Sequence, residues 1–111
     1  MSQRKKQIRQ KFRDAVFARD AFTCRVCGFA STPDRAEEEL DAHHITDRNE
    51  MPNGGYVAEN GIALCDTCHA SAEAFHCGEP VPPGFLPADL YALIGSSEEE
   101  ARIASERLAE E

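Results

Sequence analysis

The spacing of apolar residues near the start of the chain predicts an amphipathic helix. Ile8, Phe12 and Val16 recur every four residues among arginines and lysines, so they share one stripe of a helix. Ser2 is a suitable N-cap, and the pattern extends to about Ala18. The apolar stripe should pack on the rest of the protein and leave the basic residues facing outward.

Two short apolar segments in the middle of the chain predict a pair of strands. Residues 40–45 end in the β-branched Ile45, and residues 62–64 form the second segment. Both are too short for a helix and have the composition of strands.

The segments before and between these strands have the composition of loops. Residues 46–60 contain Pro52 and the run Asn53-Gly54-Gly55, which indicate a long turn-rich connection. Residues 31–39 are polar and include Pro33 and an acidic run. We interpret residues 31–39 as a solvated connection.

A helix is predicted directly after the second strand. Asp66 or Thr67 can cap its N-terminus, and the pattern runs to about His76. Gly78 and Pro80 follow, and both residue types end helices.

The C-terminal part of the chain predicts a stiff connector and two further helices. Four prolines fall between residues 80 and 87. The helices are expected at residues 88–94 and at about 98–110, and Ser97 with Glu100 forms a plausible capping box for the second one.

Length and composition limit how these elements can be stabilised. The 111 residues are 41% hydrophobic but only 7% aromatic, with no tryptophan. The core is therefore small, and we expect a cross-link such as a disulfide or a bound metal to stabilise it. We divide the chain into a basic N-terminal helix (residues 1–22), a central core (23–78) and a Pro-rich connector with acidic helices (79–111).

Two cysteine pairs are the candidates for this cross-link. Cys24 and Cys27, like Cys65 and Cys68, are separated by two residues, which lets both thiols of a pair reach one ion from a single turn. Two such pairs supply the four ligands of a tetrahedral structural zinc site. The alternative is a redox pair. The fifth cysteine, Cys77, is interpreted as a free thiol rather than a ligand.

The compartment expected for this chain agrees with a metal site. No apolar run approaches the ~20 residues that cross a bilayer, and the basic N-terminus lacks the apolar segment of a signal peptide. We therefore expect a cytoplasmic protein with no membrane partner. Its thiols should stay reduced, which favours metal binding over disulfides.

Charge is distributed unevenly along the chain. The net charge is −8, but residues 1–25 hold eight Lys or Arg against two Asp, whereas the remainder is strongly acidic. Contact with nucleic acid should therefore depend on the N-terminal segment. The alternative is that the helix only has a solvated basic face. The candidate contacts are Arg4, Lys5, Lys6, Arg9, Lys11 and Arg13.

The histidines are clustered in sequence. His43 and His44 lie between the cysteine pairs, and His69 directly follows the last of the four paired cysteines. On the predicted helix His69, Glu73 and His76 fall at i, i+4 and i+7, which is one face. This face offers a ligand set for a divalent metal. The alternative is a group of polar surface residues.

Three segments together resemble the HNH endonuclease family. They are His43-His44-Ile45, residues 54–61 and residues 64–69, and Cys24-Arg-Val-Cys27-Gly28 matches the upstream pair of zinc-stabilised members. The resemblance covers about residues 14–78. It implies an α+β fold with a ββα-metal core, in which a two-stranded hairpin and a helix surround one metal. A four-cysteine zinc knuckle, an N-terminal helix and C-terminal helices would complete the domain.

The resemblance also implies roles for individual residues. His44, Asn60 and His69 match the three name-giving catalytic positions, with His44 as the general base. His43 and His69 match ligands of the catalytic metal, which would be Mg²⁺, Mn²⁺ or Ni²⁺. Glu73 is expected as the third ligand, with His76 as the alternative. Asn60 should bond loop backbone and hold the hairpin in shape rather than contact substrate.

One part of this scheme conflicts with strand periodicity. Adjacent residues of a regular strand point to opposite faces. His43 and His44 can serve one centre only if the strand bends or ends there.

The sequence therefore favours a metal-dependent endonuclease that hydrolyses phosphodiester bonds, in DNA rather than RNA. A nucleic-acid-binding module that keeps the zinc knuckle without catalysis is the main alternative. A structural protein whose acidic C-terminal helix docks a partner is the third. Protein partners, oligomeric state and target sequence are left open.

Overall fold

The computed structural model describes residues 3–110 and shows a small α+β fold, which confirms the predicted class. Short 3-10 turns occupy Arg48–Glu50, Pro52–Gly55, Ala58–Asn60 and Arg107–Glu110. The helices and strands, in chain order, are α1 (Gln3–Arg19), α2 (Ala36–Glu39), β1 (Leu40–His44), β2 (Gly61–Cys65), α3 (Asp66–His76), α4 (Pro87–Leu93) and α5 (Glu98–Glu106). The Ser2 cap lies outside the described residues. Within them, no helix is long and apolar enough to cross a membrane.

The two predicted strands form an antiparallel hairpin. In its register His43 lies opposite Ile62, and His44 lies opposite Gly61. Helix α1 packs on one face of the hairpin and α3 on the other. The ring of His43 accordingly meets α3, whereas the ring of His44 meets α1. The alternation expected of a strand holds at these two positions.

Helix α1 packs through the predicted apolar stripe. Phe12 and Val16 are buried, as is their neighbour Phe17, and Ile8 is half-buried near the start of the helix. A Cβ atom at Gly61 would lie 2.5 Å from Val16 Cγ2 and 2.6 Å from Phe12 Cε1. The missing side chain at Gly61 therefore lets α1 lie directly against the hairpin.

The end of α1 is fixed by a buried carboxylate that sequence patterns did not indicate. The side chain of Asp20 is fully buried between Arg19 and Arg25, at 2.8 and 2.7 Å respectively. It also accepts a hydrogen bond of 2.9 Å from the backbone N–H of Ala63 in β2. A buried charge is tolerated when it is paired and hydrogen-bonded in this way. The network connects α1, the hairpin and the turn that carries Cys24 and Cys27, which we call the first cysteine turn.

Two local predictions were wrong. Residues 31–39 are not entirely a solvated loop, because Ala36–Glu39 forms α2 and Ala36 is buried against the core. Cys65, rather than Asp66 or Thr67, occupies the N-cap position of α3, and its side chain makes no capping hydrogen bond. The reason is that β2 runs straight into the helix without an intervening loop residue.

The C-terminal helices brace the loop between the strands. Ser97 Oγ accepts a hydrogen bond from the N–H of Glu100, which confirms the Ser97 half of the predicted capping box of α5. From α5, the Ser105 carbonyl accepts a hydrogen bond from Asn53 Nδ2 at 3.0 Å. Just ahead of α5, Ser96 Oγ donates to the Glu59 carbonyl at 2.9 Å. This loop is therefore held in place by parts of the chain far away in sequence.

Candidate active site

The four paired cysteines converge where the first cysteine turn meets the end of the hairpin. Their sulfur atoms all lie within 4.8 Å of one another. Gly28, with φ of +82°, reverses the backbone after the first pair, and the second pair spans the junction of β2 and α3. Cys27 Sγ and Cys65 Sγ are 3.6 Å apart. A zinc tetrahedron with ~2.3 Å arms has edges of about 3.8 Å, so the cysteines are positioned to bind one metal ion.

The thiol environment also suits a cation. Burial alone would raise the pKa of Cys24, but backbone hydrogen bonds outweigh it and lower the pKa to about 7. Burial and the neighbouring thiols raise the pKa of Cys68. Thiolates crowded in this way repel each other, and a bound cation would relieve the repulsion. Cys77 is exposed and does not belong to the cluster.

A second group of potential ligands lies between β1 and α3. One ligand atom from each of His43, His69 and Glu73 lies within 4.8 Å of the other two. His43 comes from the buried face of β1, and the other two residues are one turn apart on α3. Ligand atoms on one divalent ion are about 3–4 Å apart, so small side-chain rotations would complete the set.

Two features of this second group match a metal site. Glu73 Oε2 is buried and has no hydrogen-bond partner among the described residues. Burial, assisted by the charges of His69 and His76, lowers the pKa of His43 to about 3. An uncharged imidazole and a carboxylate oxygen without a hydrogen-bond partner can both bind a cation through a free electron pair.

His76 contacts the group without joining it. Its ring lies 5.4 Å from the ring of His43, and its Nε2 is 3.1 Å from the carbonyl oxygen of His44. The ligand group within 4.8 Å contains Glu73 rather than His76. Two helical turns separate His76 from His69, so the two rings reach different points along the hairpin.

His44 is the last residue of β1, and its ring is held against α1. It stacks on Phe12 with 4.6 Å between ring centroids and meets the edge of Tyr56 at 4.7 Å. Burial, followed by the charge of Arg48, lowers the pKa of His44 to about 4. Its Nε2 is buried without a hydrogen-bond partner among the described residues. The ring is therefore uncharged near neutral pH.

A cleft of about 300 Å³ is lined by both His43 and His44, although their rings lie on opposite faces of the hairpin. The strand ends at His44, and His44 lines this cleft although its ring points away from the ring of His43. We call it the histidine cleft; it is lined by Ala42, His43, His44, Asp47, Arg48, His69, Glu73 and His76.

The model of the HNH endonuclease family matches residues 24–75 of this chain. We refer to residues 24–75, the segment that this model matches, as the HNH domain. The match begins at Cys24, the first of the four clustered cysteines, and ends inside α3. It confirms the resemblance noted in the sequence. No curated protein and no solved structure matches the chain.

Asn60, which the sequence resemblance predicts at the middle of the three name-giving positions, is completely buried. Its Nδ2 donates to the carbonyls of Thr46 and Gly55, at 3.0 and 3.2 Å. Its Oδ1 accepts from the N–H of Thr46 and from the Tyr91 hydroxyl, at 3.0 and 2.7 Å. All four hydrogen-bonding positions of the amide are thus used within the protein. Asn60 holds the loop in the way expected from the sequence, and it does not line the histidine cleft.

The basic residues predicted on α1 have different surroundings. Arg13 pairs with Glu37 of α2 at 2.8 Å, so its charge is partly offset. Arg4, Lys5 and Arg9 line a cleft together with residues of the loop between the two strands. Lys6 and Lys11 are exposed.

Sequence reasoning missed three residues of the site. Asp41 Oδ2 lies 3.2 Å from Nδ1 of His69, Arg48 lines the histidine cleft, and Tyr56 contacts the ring of His44. The position of Asp41 two residues before His43 was a usable signal, because alternate strand residues share a face. Arg48 and Tyr56 lie in the loop, where no periodicity indicates direction.

Proposed function

We propose that the protein is a metal-dependent HNH endonuclease that hydrolyses phosphodiester bonds in nucleic acid, with DNA as the expected substrate. The observation that carries the proposal is the histidine cleft. It joins the ligand group of His43, His69 and Glu73 to a histidine with an unsatisfied ring nitrogen, His44. A hydrolase of phosphodiesters needs such a combination of cation site and proton acceptor.

The residues present fit a catalytic metal. His43, His69 and Glu73 would hold the ion, since the buried Glu73 Oε2 otherwise has no partner among the described residues. A divalent ion there would supply positive charge to the phosphate and to the leaving oxygen. The carboxylate ligand favours hard ions such as Mg²⁺ or Mn²⁺, and Ni²⁺ is compatible with the two imidazoles.

His44 is proposed as the general base. Its ring is fixed by Phe12 and Tyr56, which leaves Nε2 as a buried acceptor without a partner among the described residues. A base held in one orientation can take the proton of a water molecule that approaches the phosphate. Asn60 is proposed to act indirectly, by holding the loop that carries Thr46 and Gly55.

We further propose that the four-cysteine cluster holds a structural Zn²⁺ that is independent of the catalytic ion. The second cysteine pair belongs to elements that also carry the site, because β2 ends at Cys65 and α3 contains Cys68. Zinc would therefore fix the start of α3, and with it the directions of His69 and Glu73.

The proposal is tested by incubating the purified protein with supercoiled plasmid and with single-stranded RNA, with Mg²⁺, Mn²⁺ or Ni²⁺ and without added metal. We expect nicked or linear plasmid only when a divalent ion is present. The variant His44→Ala, purified in the same way, should lose cleavage but retain its fold by circular dichroism. That variant also controls for contaminating nucleases.

The alternatives give different results. A folded, zinc-loaded protein that binds DNA but cleaves nothing with any of the three ions would be a non-catalytic binding module. A zinc-loaded protein that neither binds nor cleaves nucleic acid would support a structural or interaction role. Cleavage by His44→Ala at the wild-type rate would remove His44 as the base.

A further inference from the structure

A second cleft, the basic cleft, lies between α1 and the loop that joins the two strands. It measures about 590 Å³, and its polar lining consists of Arg4, Lys5, Arg9, Arg48, Asn49 and Asn53, together with Tyr56. No Asp or Glu lines it among the described residues. In a chain with a net charge of −8, this concave surface gathers four cationic side chains. Surfaces that concentrate positive charge in this way attract polyanions.

The basic cleft is connected to the histidine cleft. Arg48 lines both of them. A groove of about 540 Å³ shares His44, Arg48 and His69 with the histidine cleft, and it shares Arg9, Arg48 and Tyr56 with the basic cleft. Arg13, Glu37 and Asp41 also line this groove. A chain-like ligand bound at the histidines can therefore continue into the basic cleft without leaving the protein surface.

Tyr56 organises the junction between the clefts. The guanidinium carbon of Arg9 lies 5.9 Å from the centroid of its ring, and Arg48 Nη1 donates to its hydroxyl at 3.5 Å. Partial burial would raise the pKa of Tyr56, but the hydrogen bonds and charges of Arg48 and Arg9 outweigh burial and lower it. Arg9 thus lies over the ring of Tyr56 and Arg48 at its hydroxyl, and the same ring contacts His44.

The basic cleft also has an apolar wall. Ile8, Leu108 and Tyr56 line it and are half-buried. A duplex presents sugar and phosphate to a protein surface and keeps its base faces stacked inside, so it would leave this wall uncovered. Grooves that combine cations with apolar and aromatic side chains are typical of sites for single strands.

We propose that the basic cleft binds an unpaired nucleic acid strand next to the scissile phosphate, with Arg48 and Arg9 at the nearest phosphate and Arg4 and Lys5 beyond. This inference rests on the proposed nuclease function and specifies its substrate. The preferred substrate has an unpaired segment beside the cleavage site, as at a strand end, a fork or a junction. The volume of about 590 Å³ lies within the range of ~300–1,000 Å³ found for small-ligand sites, enough for a nucleotide.

Binding is measured first, by fluorescence anisotropy with a labelled single-stranded oligonucleotide and no added divalent metal. Wild type is compared with Arg48→Gln and Arg4→Gln. The matched control is Arg35→Gln, which removes the same charge from an exposed arginine paired with Glu38 and Glu39. Each cleft variant should reduce the log–log salt dependence by about 0.7, which corresponds to roughly fivefold weaker binding at 0.1 M salt. Arg35→Gln should bind like wild type.

Substrate form is tested next, with a blunt duplex and a forked duplex of the same sequence. Wild type should bind the fork at least about tenfold more tightly than the blunt duplex, and Arg4→Gln should reduce this ratio. Equal wild-type affinity for both forms, or equal effects of Arg48→Gln and Arg35→Gln on the salt dependence, would overturn the proposal. Neither readout needs catalysis. A failure of cleavage therefore counts against the nuclease function alone, and these binding results still decide the role of the cleft.

Discussion

The Oδ2 of Asp41 lies 3.2 Å from Nδ1 of His69, across the space between β1 and α3. A carboxylate in this position accepts a hydrogen bond from Nδ1–H, which fixes the orientation of the ring and leaves Nε2 to bind a metal. Carboxylates do this behind many histidine ligands. Asp41 is therefore a positioning residue for the proposed catalytic metal site.

We expect Asp41→Asn to weaken binding of the catalytic divalent ion by about 10- to 100-fold, because the ring loses its charged acceptor. Calorimetric titration with Mn²⁺ measures this directly, and the metal concentration for half-maximal cleavage should rise in parallel. Asp34→Asn, in an exposed loop, is the charge-matched control. Unchanged Mn²⁺ affinity in Asp41→Asn would show that the contact with His69 has no role in metal binding.

The third metal ligand is tested by a pair of substitutions on α3. Glu73→Gln should strongly raise the metal concentration needed for cleavage, because Glu73 contributes the third ligand atom of the group with His43 and His69. His76→Gln should have a smaller effect, since His76 is adjacent to the backbone carbonyl of His44. The opposite order of the two effects would assign the third position to His76.

The cysteine cluster predicts a sharp contrast between two cysteines. Cys65→Ser should lose the bound zinc and unfold, because structural zinc contributes on the order of 10 kcal/mol to small domains. Cys77→Ser should remain folded with about one zinc per chain, since Cys77 is exposed and outside the cluster. Elemental analysis and thermal unfolding report both results. A folded, zinc-loaded Cys65→Ser would contradict the assignment.

The hydrogen bonds of Asn60 predict a role for α4 in stabilising the loop. Tyr91→Phe removes the hydroxyl shared by Asn60 and Thr46, at 2.7 Å from each, and should lower the free energy of unfolding by about 1–3 kcal/mol. Ser105→Ala is the contrasting variant. The Ser105 Oγ is buried without a partner among the described residues, so its removal should be neutral or stabilising. Urea unfolding of both proteins compares the two values, and equal losses would argue against this explanation.

Gly61 should be intolerant of any side chain. Its backbone is extended, with φ of −126°, so Gly61→Ala acts through the clash with Phe12 and Val16. We expect a loss of about 1–3 kcal/mol in the free energy of unfolding. Cleavage should fall as well, because Phe12 stacks on His44. A stable variant with full activity would mean that α1 can move without disturbing His44.

Much of the fold was readable from the sequence because it depends on local patterns. The apolar spacing of Ile8, Phe12 and Val16 located α1, and two short apolar segments located the hairpin. The histidine and glutamate spacing on α3 placed His69 and Glu73 on one face. Local periodicity failed to predict burial that depends on residues distant in sequence. Ala36 of α2 is an example, because it is buried although its segment has the composition of a loop.

The sequence by itself determined which chemical groups are available and which of them share a helix face or a strand face. Only the tertiary structure decided which groups from different elements meet. Asp41 reaches His69, Tyr91 reaches Asn60, and Arg48 joins two clefts. Strand and helix periods fix direction only within one element. The relative placement of elements is set instead by packing, here by Phe12 and Val16 lying against the bare backbone of Gly61.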